Sequence, residues 1–134
     1  MNVIDAAISA VISMMNALEP FATVTRGALP TGDGIVCEIS PTYNAEIYLD
    51  KGARIPIDLT LNGKHHNLQT LSDTLNEIHD ALTKIHDPAQ YPSDTGWQII
   101  DIWTTLFPRI IGRESDNAWV MASALTVNLE KKGV

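Results

Sequence analysis

The sequence is poor in several features that particular structures and functions require. It has one cysteine, Cys37, among 134 residues, which excludes an internal disulfide and suits a reducing compartment. It has no apolar run of about 18 residues, so we expect no membrane-spanning helix. Charged residues make up 19 % of the chain, against roughly 25 % in an average soluble domain. This shortage weakly indicates that a partner covers part of the surface.

The charge that is present is mostly negative, and the formal net charge is -7 at pH 7. An acidic domain repels phosphate groups, which argues against nucleic-acid binding through a basic face and against adsorption to anionic membranes. The apolar segment Met1–Leu18 contains Asp5 and lacks the positively charged start of a signal peptide. We therefore interpret this segment as a helix and expect the protein not to be exported.

The length and the apolar periodicity predict a single domain over residues 1–134. The predicted elements are a helix over 2–19, a loop over 20–33, strands over 34–62, a helix over 66–86, and strands over 97–107 and 118–129. This order is typical of an α+β fold. We expect a mixed or antiparallel β-sheet of about four to five strands with two main helices packed on it.

Local signals predict where some of these elements end. Pro56 has no amide donor, so we expect it at a strand end or at an edge of the sheet. Asn62 and Gly63 form a turn signal that is expected to end that strand, and Pro108 is expected to end the next one. The segment Trp97–Phe107 is apolar on both faces, which predicts a strand with a central position in the sheet.

The residues that most often carry chemistry form no recognisable site. Four histidines lie on or beside the second predicted helix without the spacing of metal ligands, so we interpret them as solvated. They are His65, His66, His79 and His86. Cys37 has no evident cationic neighbour and is expected to be a buried structural residue.

Other polar segments support the same conclusion. The segment Gly27–Gly34 is rich in glycine but lacks the lysine and the following helix of a phosphate loop. Solvated side chains are the default interpretation for the carboxylates Asp33, Glu38, Asp50 and Asp58. The sequence thus predicts no catalytic, cofactor-binding or metal-ligating residue, and a protein that is not an enzyme. Three tryptophans are equally compatible with a core and with an interface: Trp97, Trp103 and Trp119.

An ordered set of structural motifs covers nearly the whole chain, although each motif alone is loose. The set comprises a helix at Asn2–Leu18, the segment Leu29-Pro30-x-x-Asp33-Gly34-Ile35-Val36, an alternating strand at Ile55–Leu61, a helix with Leu71, Leu75, Ile78 and Leu82, the segment Pro108-x-Ile110-Ile111-Gly112, and a last strand from Trp119 to Glu130. In this order the chain resembles the tail terminator, or tail completion, proteins of long-tailed bacteriophages, often labelled minor capsid proteins in prophages.

The resemblance implies a structural protein of the virion that assembles in the host cytoplasm. Such proteins form a ring, commonly a hexamer, that caps the finished tail tube, stops its polymerisation and offers the surface to which the filled head attaches. The implied partners are further copies of the chain, the tail tube protein and a head-completion or connector protein. The resemblance implies no catalytic residue and no cofactor, and DNA passes through the ring without being specifically bound.

Two parts of the chain are candidates for roles in such a ring. The first helix has alanine and serine opposite its apolar stripe, so this helix and the connection Glu19–Asp33 form a candidate contact patch. An acidic bore would let DNA pass without adhering, and Asp50, Asp87 and Asp94 are candidate lining residues. The alternatives are a cytoplasmic adaptor, or a small cytoplasmic ligand-binding or enzymatic domain whose carboxylate and histidine site is not visible in the sequence.

Overall fold

The computed structural model describes residues 3–39, 46–47 and 53–131. This part of the chain contains two α-helices, α1 (Val3–Asn16) and α2 (Leu68–Thr83). It also contains the strands β1 (Val24–Thr25), β2 (Gly34–Ile39), β3 (Glu46–Ile47), β4 (Ala53–His65), β5 (Ser93–Asp94), β6 (Trp97–Arg113) and β7 (Trp119–Lys131). A short 3-10 turn at Pro88–Gln90 lies between α2 and β5. Neither of the two described helices is long and apolar enough to cross a membrane.

The strands form one sheet of seven in the order β1-β2-β4-β7-β6-β5, with β3 beside β4. The pairings are antiparallel except that of β1 with β2, which is parallel. This mixed sheet with two helices confirms the predicted α+β class. The sheet has more strands than predicted because β1, β3 and β5 have two residues each and are too short to show an alternating pattern.

Both helices pack on one face of the sheet and share a single hydrophobic core with it. From β4 the core takes alternate residues, and from α2 it takes one stripe at helical spacing. The members of these two sets are Ile55, Ile57, Leu59 and Leu61 in β4, and Leu71, Leu75, Ile78 and Leu82 in α2. The opposite face, called the outer face below, carries the intervening residues of β4 and β7. These are small or polar, as Thr60, Ala122 and Asn128 illustrate.

The second helix begins one residue after its cap. Asn67 has an extended backbone, and its side-chain oxygen accepts a hydrogen bond from Thr70 N at 3.1 Å. This satisfies one of the amide groups that a helix start leaves free, so α2 begins at Leu68 rather than at residue 66. The helix ends at Thr83, before the predicted end at residue 86.

The first helix ends earlier than predicted, and the connection after it contains a strand. α1 ends at Asn16, whose Oδ1 accepts from Val24 N at 2.7 Å and whose Nδ2 donates to Val24 O at 3.2 Å. This contact holds the chain beside β2, where Val24 and Thr25 form β1 inside the predicted loop 20–33. The buried side of α1 is covered by the protein's own core through Ala7, Ile8, Val11 and Met15.

The turn predicted at Asn62-Gly63 is wrong, because β4 continues through it to His65. A Cβ atom on Gly63 would lie 2.6 Å from Leu71 Cδ1 of α2. The glycine therefore permits close approach of helix and sheet rather than a change of chain direction.

Pro56 lies, as expected, at a position where one side of the strand has no described partner strand. It lies opposite Asn128 of β7. On its other side β3 pairs with Ala53 and Arg54, β2 pairs only from Leu59 onwards, and no described residue pairs with the proline. Among the described residues, the ladder at the proline is therefore open on one side.

The predictions for β6 are wrong in both its end and its position. The strand does not end at Phe107 but passes through Pro108 to Arg113. Among the described strands only the two-residue β5 covers its outer side, opposite Trp97 and Gln98, so most of β6 is an edge rather than central. An edge strand tolerates proline because the lost amide faces no partner. The register with β7 shifts four times along its length, another common feature of edges.

Candidate interaction surface

The distal part of β6, Trp103–Arg113, is here called the β6 arm. Among the described residues, the large hydrophobic side chains classed as exposed all lie in this arm: Trp103, Leu106, Phe107, Ile110 and Ile111. Trp103 is 60 % exposed and Phe107 is 71 % exposed. At the roughly 150–250 Å² of an aromatic side chain, these two alone leave about 250 Å² of apolar surface in water. With three aliphatic side chains beside them, the patch is of the size that marks interaction sites.

The apolar side chains of the arm lie on both faces of the strand. Trp103 is opposite Thr126 and Leu106 is opposite Ala124, which places both on the outer face. Ile110 is opposite the buried Met121, on the helix face, and Phe107 lines a groove beside α2. A partner that covered only one face of the sheet would leave half of this patch in water. The arm therefore suits a partner that packs around the edge.

The turn after the arm is held by backbone and polar contacts. Glu114 N donates to Ala118 O at 2.8 Å, and Asn117 N donates to Glu114 O at 2.9 Å. Asn117 has a φ of 66°, the left-handed conformation that asparagine tolerates. Arg113 lies 4.5 Å from the ring centroid of Trp119, a cation–π contact that joins the ends of the two strands.

The base of the arm is fixed by a buried histidine of α2. His79 is only 3 % exposed, so the interpretation of this residue as a solvated histidine is wrong. Its Nδ1 lies 2.8 Å from Thr104 Oγ1 of β6, and its Nε2 lies 2.8 Å from Ser123 Oγ of β7. The sequence contained a signal for this burial, since His79 follows Leu75 by four residues and precedes Leu82 by three.

The hydrogen-bond directions at His79 follow from its neighbours. Ser123 Oγ donates its proton to Leu61 O at 2.7 Å, so it accepts from His79 Nε2–H. Nδ1 then accepts from the Thr104 hydroxyl, and the ring is neutral. Burial lowers the pKa of His79 to about 4. Because the serine proton points to a carbonyl and the ring is fully bonded, this pair supports the arm and is not an activated nucleophile.

The turn between β6 and β7 is linked through Lys64 and His66 to the connection that precedes β2. Lys64 Nζ lies 3.1 Å from Asp116 Oδ2 and also donates to Thr31 O at 3.1 Å. His66 Nδ1 lies 2.9 Å from Asp33 Oδ1, and His66 Nε2 lies 3.1 Å from Asp116 O. The hydrogen bond from Lys64 is the main cause of a lowered pKa at Asp116. These ion pairs could not be predicted from the sequence, because the contacting residues are far apart in the chain.

The remaining histidines differ from one another. His65 is the last residue of β4 and is partly buried, with Nε2 3.4 Å from Asp33 Oδ2 and its ring edge-on to Phe21. His65 and His66 precede the helix and both contact Asp33; His66 is exposed, as predicted, whereas His65 is partly buried. His86 is exposed, as predicted.

The other candidate residues do not converge on a site. Cys37 is fully buried, and burial raises the pKa of its thiol to about 12, which confirms the structural interpretation. Glu38 binds Arg26 at 2.6 Å, and this contact is the main cause of a lowered pKa at Glu38. Asp58 accepts from Thr126 Oγ1 at 2.7 Å. Asp50 lies outside the described residues. Within residues 3–39 and 53–131, no three side chains of the metal-binding types gather.

The three tryptophans divide between the core and the exposed surface. Trp97 is buried in the core, Trp119 is half-buried beneath Arg113, and Trp103 is exposed on the arm. Asp87 and Asp94, the remaining bore candidates, are both exposed. Asp87 caps the 3-10 turn by accepting from Ala89 N at 3.0 Å.

No family model and no curated protein matches this sequence. The fold has a counterpart in a virion. A chain from the virion of a native gene transfer agent particle aligns with a TM-score of 0.65 over 97 % of this chain and 99 % of that chain. The sequence identity is 15 %, so the likeness shows a shared fold. Because nearly all of both chains aligns, the shared fold includes both helices and the sheet that carries the arm.

Proposed function

We propose that this chain is a structural virion protein that caps the tail tube as a ring and forms the surface to which the head attaches. The observation that carries the proposal is the β6 arm, a large apolar patch on an open strand edge, in a fold shared with a virion chain. The ordered motifs that resemble tail terminator proteins add the tail end as the place of action. The protein would act in the virion after assembly in the host cytoplasm.

The arm supports an assembly role because its exposed side chains contribute nothing evident to the protein's own core. Burying about 250 Å² of aromatic surface corresponds to about 6 kcal/mol before the costs of association are subtracted. A ring of identical subunits requires two different patches on each copy, and the arm supplies one of them. The hexamer, the tail tube protein and the head-completion or connector protein as partners are parts of this proposal.

A non-enzymatic role is also part of the proposal. The His79–Ser123 pair is the described constellation that most resembles catalytic machinery, and its hydrogen bonds are all satisfied inside the core. Within the described residues no observation favours the alternative of a ligand-binding or enzymatic domain. The net charge of -7 fits a ring through which DNA passes without specific binding.

The test uses tail tubes from particles that lack this chain. Wild-type protein is expected to bind tube ends in a fixed number of copies and to prevent further growth by tube protein, as seen by electron microscopy and turbidity. A Trp103→Ser/Phe107→Ser variant is expected to lose ring formation and capping while remaining folded. A matched control is Trp97→Phe, which changes an aromatic residue of the same strand in the core. Tubes that keep growing with wild-type protein present would contradict the proposal.

A further inference from the structure

A groove beside the arm is strongly acidic on one wall. It lies between α2 and β6, and its lining includes Asp73, Glu77 and Asp80 of the helix together with Thr104 and Phe107 of the strand. The three carboxylates are exposed and fall at i, i+4 and i+7, so they share one side of the helix. Leu68–Thr83 contains no lysine or arginine, and the only cation next to it in the sequence is Lys84 at its C-terminal cap.

The arm has the opposite charge. Its charged residues are Arg109 and Arg113, in a chain whose formal net charge is -7. Arg113 is engaged with Trp119 and donates to Asn117 O at 3.2 Å. Arg109 is exposed and forms no ion pair with any described residue. Leu106, Ile110 and Ile111 around it are apolar and exposed, so the arm joins one unpaired cation to an apolar strand edge.

The arm cannot satisfy the groove of its own chain. Arg109 is opposite Ala122 of β7, which places it on the outer face of the sheet, whereas α2 and its carboxylates lie on the other face. The pairing of β6 with β7 persists to Arg113 and Trp119, which holds Arg109 on the outer face and away from the carboxylates of α2. The complementary charges of one chain can therefore meet only between two copies.

We propose that the β6 arm of one copy packs into the acidic groove of a second copy, with Arg109 among Asp73, Glu77 and Asp80. The proposal rests on the assembly function proposed above and names the surface that receives the arm. At 3.3 Å per residue, the arm is about 36 Å long. The helix that borders the groove is about 24 Å long, so the arm can extend along the whole of it. Thr104 and Phe107 belong to both the arm and the groove, but Arg109 and the carboxylates lie on opposite faces of the sheet. Each copy can therefore give one charged surface and receive the other, which is the arrangement that a closed ring requires.

Charge reversal tests this pairing. Arg109→Glu leaves a copy with an acidic arm and an acidic groove, whereas Glu77→Lys/Asp80→Lys gives a basic arm and a basic groove. Each variant alone is expected to self-associate at least about tenfold more weakly than wild type in sedimentation velocity or mass photometry. An equal mixture of the two is expected to recover association, because every arm then meets a groove of opposite charge.

The matched control is Lys131→Glu, which reverses an exposed charge at the end of β7, outside the arm, the groove and the candidate contact patch of the first helix. Wild-type association with Arg109→Glu, a mixture that fails to recover, or a wild-type chain that stays monomeric to about 1 mM would each overturn the inference. The two proposals fail separately. If Trp103→Ser/Phe107→Ser abolishes tube capping while charge reversals change nothing, the groove assignment falls and the function stands. If charge pairing controls self-association but tubes are never capped, the function falls and the groove stands.

Discussion

The free energy of unfolding should decrease as the pH falls, because His79 is buried and neutral in the folded protein. The size of the decrease depends on how far burial lowers the pKa of His79. The pKa of His79 is about 4 in the folded protein and about 6.5 in an unfolded chain. A depressed folded pKa means that the unfolded state binds the proton more readily below pH 6.5. The contribution of this residue to stability is therefore complete above pH 6.5 and is lost progressively as the pH falls towards 4.

The size of the effect follows from the pKa difference. One pKa unit corresponds to 1.36 kcal/mol, so the loss due to His79 should reach about 2 kcal/mol at pH 5 and about 3 kcal/mol at pH 4. Glu38 and Asp116 have lowered pKa values and keep their stabilising charge at pH 5. The interval from pH 7 to pH 5 therefore separates the histidine from these carboxylates.

The assay is urea unfolding at pH 7 and pH 5, for wild type and for His79→Gln, which has no ionisable group. The other histidines are present in both proteins, so the difference between the two pH dependences isolates His79. We expect wild type to lose about 2 kcal/mol more than the variant over this interval. Equal losses in the two proteins would refute the assignment of a buried, neutral His79.

Further predictions concern the core and the arm. Trp103→Ser/Phe107→Ser should change the free energy of unfolding by less than about 1 kcal/mol, since both side chains are exposed, yet weaken self-association by about 2–4 kcal/mol; chemical denaturation and sedimentation measure the two effects. Gly63→Ala should destabilise by about 1–3 kcal/mol because its methyl group would displace the buried Leu71, and a stability equal to wild type would contradict that close packing. The Cys37 thiol should react with a disulfide reagent only at the rate of unfolding, and fast labelling of native protein would contradict its burial.

The candidate contact patch on the first helix also has a testable form. Deleting α1 would remove Ala7, Ile8, Val11 and Met15 from the core, so a deletion cannot distinguish lost folding from lost assembly. Ser9→Glu/Ser13→Glu changes the exposed side of the helix alone. If the patch contributes to the ring, this variant should stay folded and associate more weakly; unchanged association would remove the patch from the interface.

The sequence predicted those parts of the fold in which one local pattern decides the outcome. The alternation of Ile55, Ile57, Leu59 and Leu61 and the apolar stripe of α2 both match the core, because each pattern has the period of its element. Turn signals failed where packing overrode them. Gly63 serves the approach of Leu71, and Pro108 is tolerated because β6 is an edge at that point.

The candidate surface could not be predicted in the same way. Apolar residues on both faces of a strand are expected in a central strand. The pattern of β6 does not reveal that, among the described strands, only β7 pairs with most of its length. The ties between Asp33 and His66 and between Lys64 and Asp116 join segments that are distant in the chain, so spacing gave no signal for them. His79 is the exception, since its position relative to Leu75 and Leu82 indicated burial.

The interrupted ladder of the β6 arm has a consequence for the chain before assembly. A long, flat, apolar strand edge that has no partner would recruit other edges and grow into fibrils. Pro108 removes one amide from this edge, and three of the four register shifts lie in the arm and break its straight run. Side chains of a partner can still pack against such an edge, but a continuous ladder of hydrogen bonds between chains cannot form there. The irregular edge therefore opposes fibril growth, while its exposed side chains stay available to a partner.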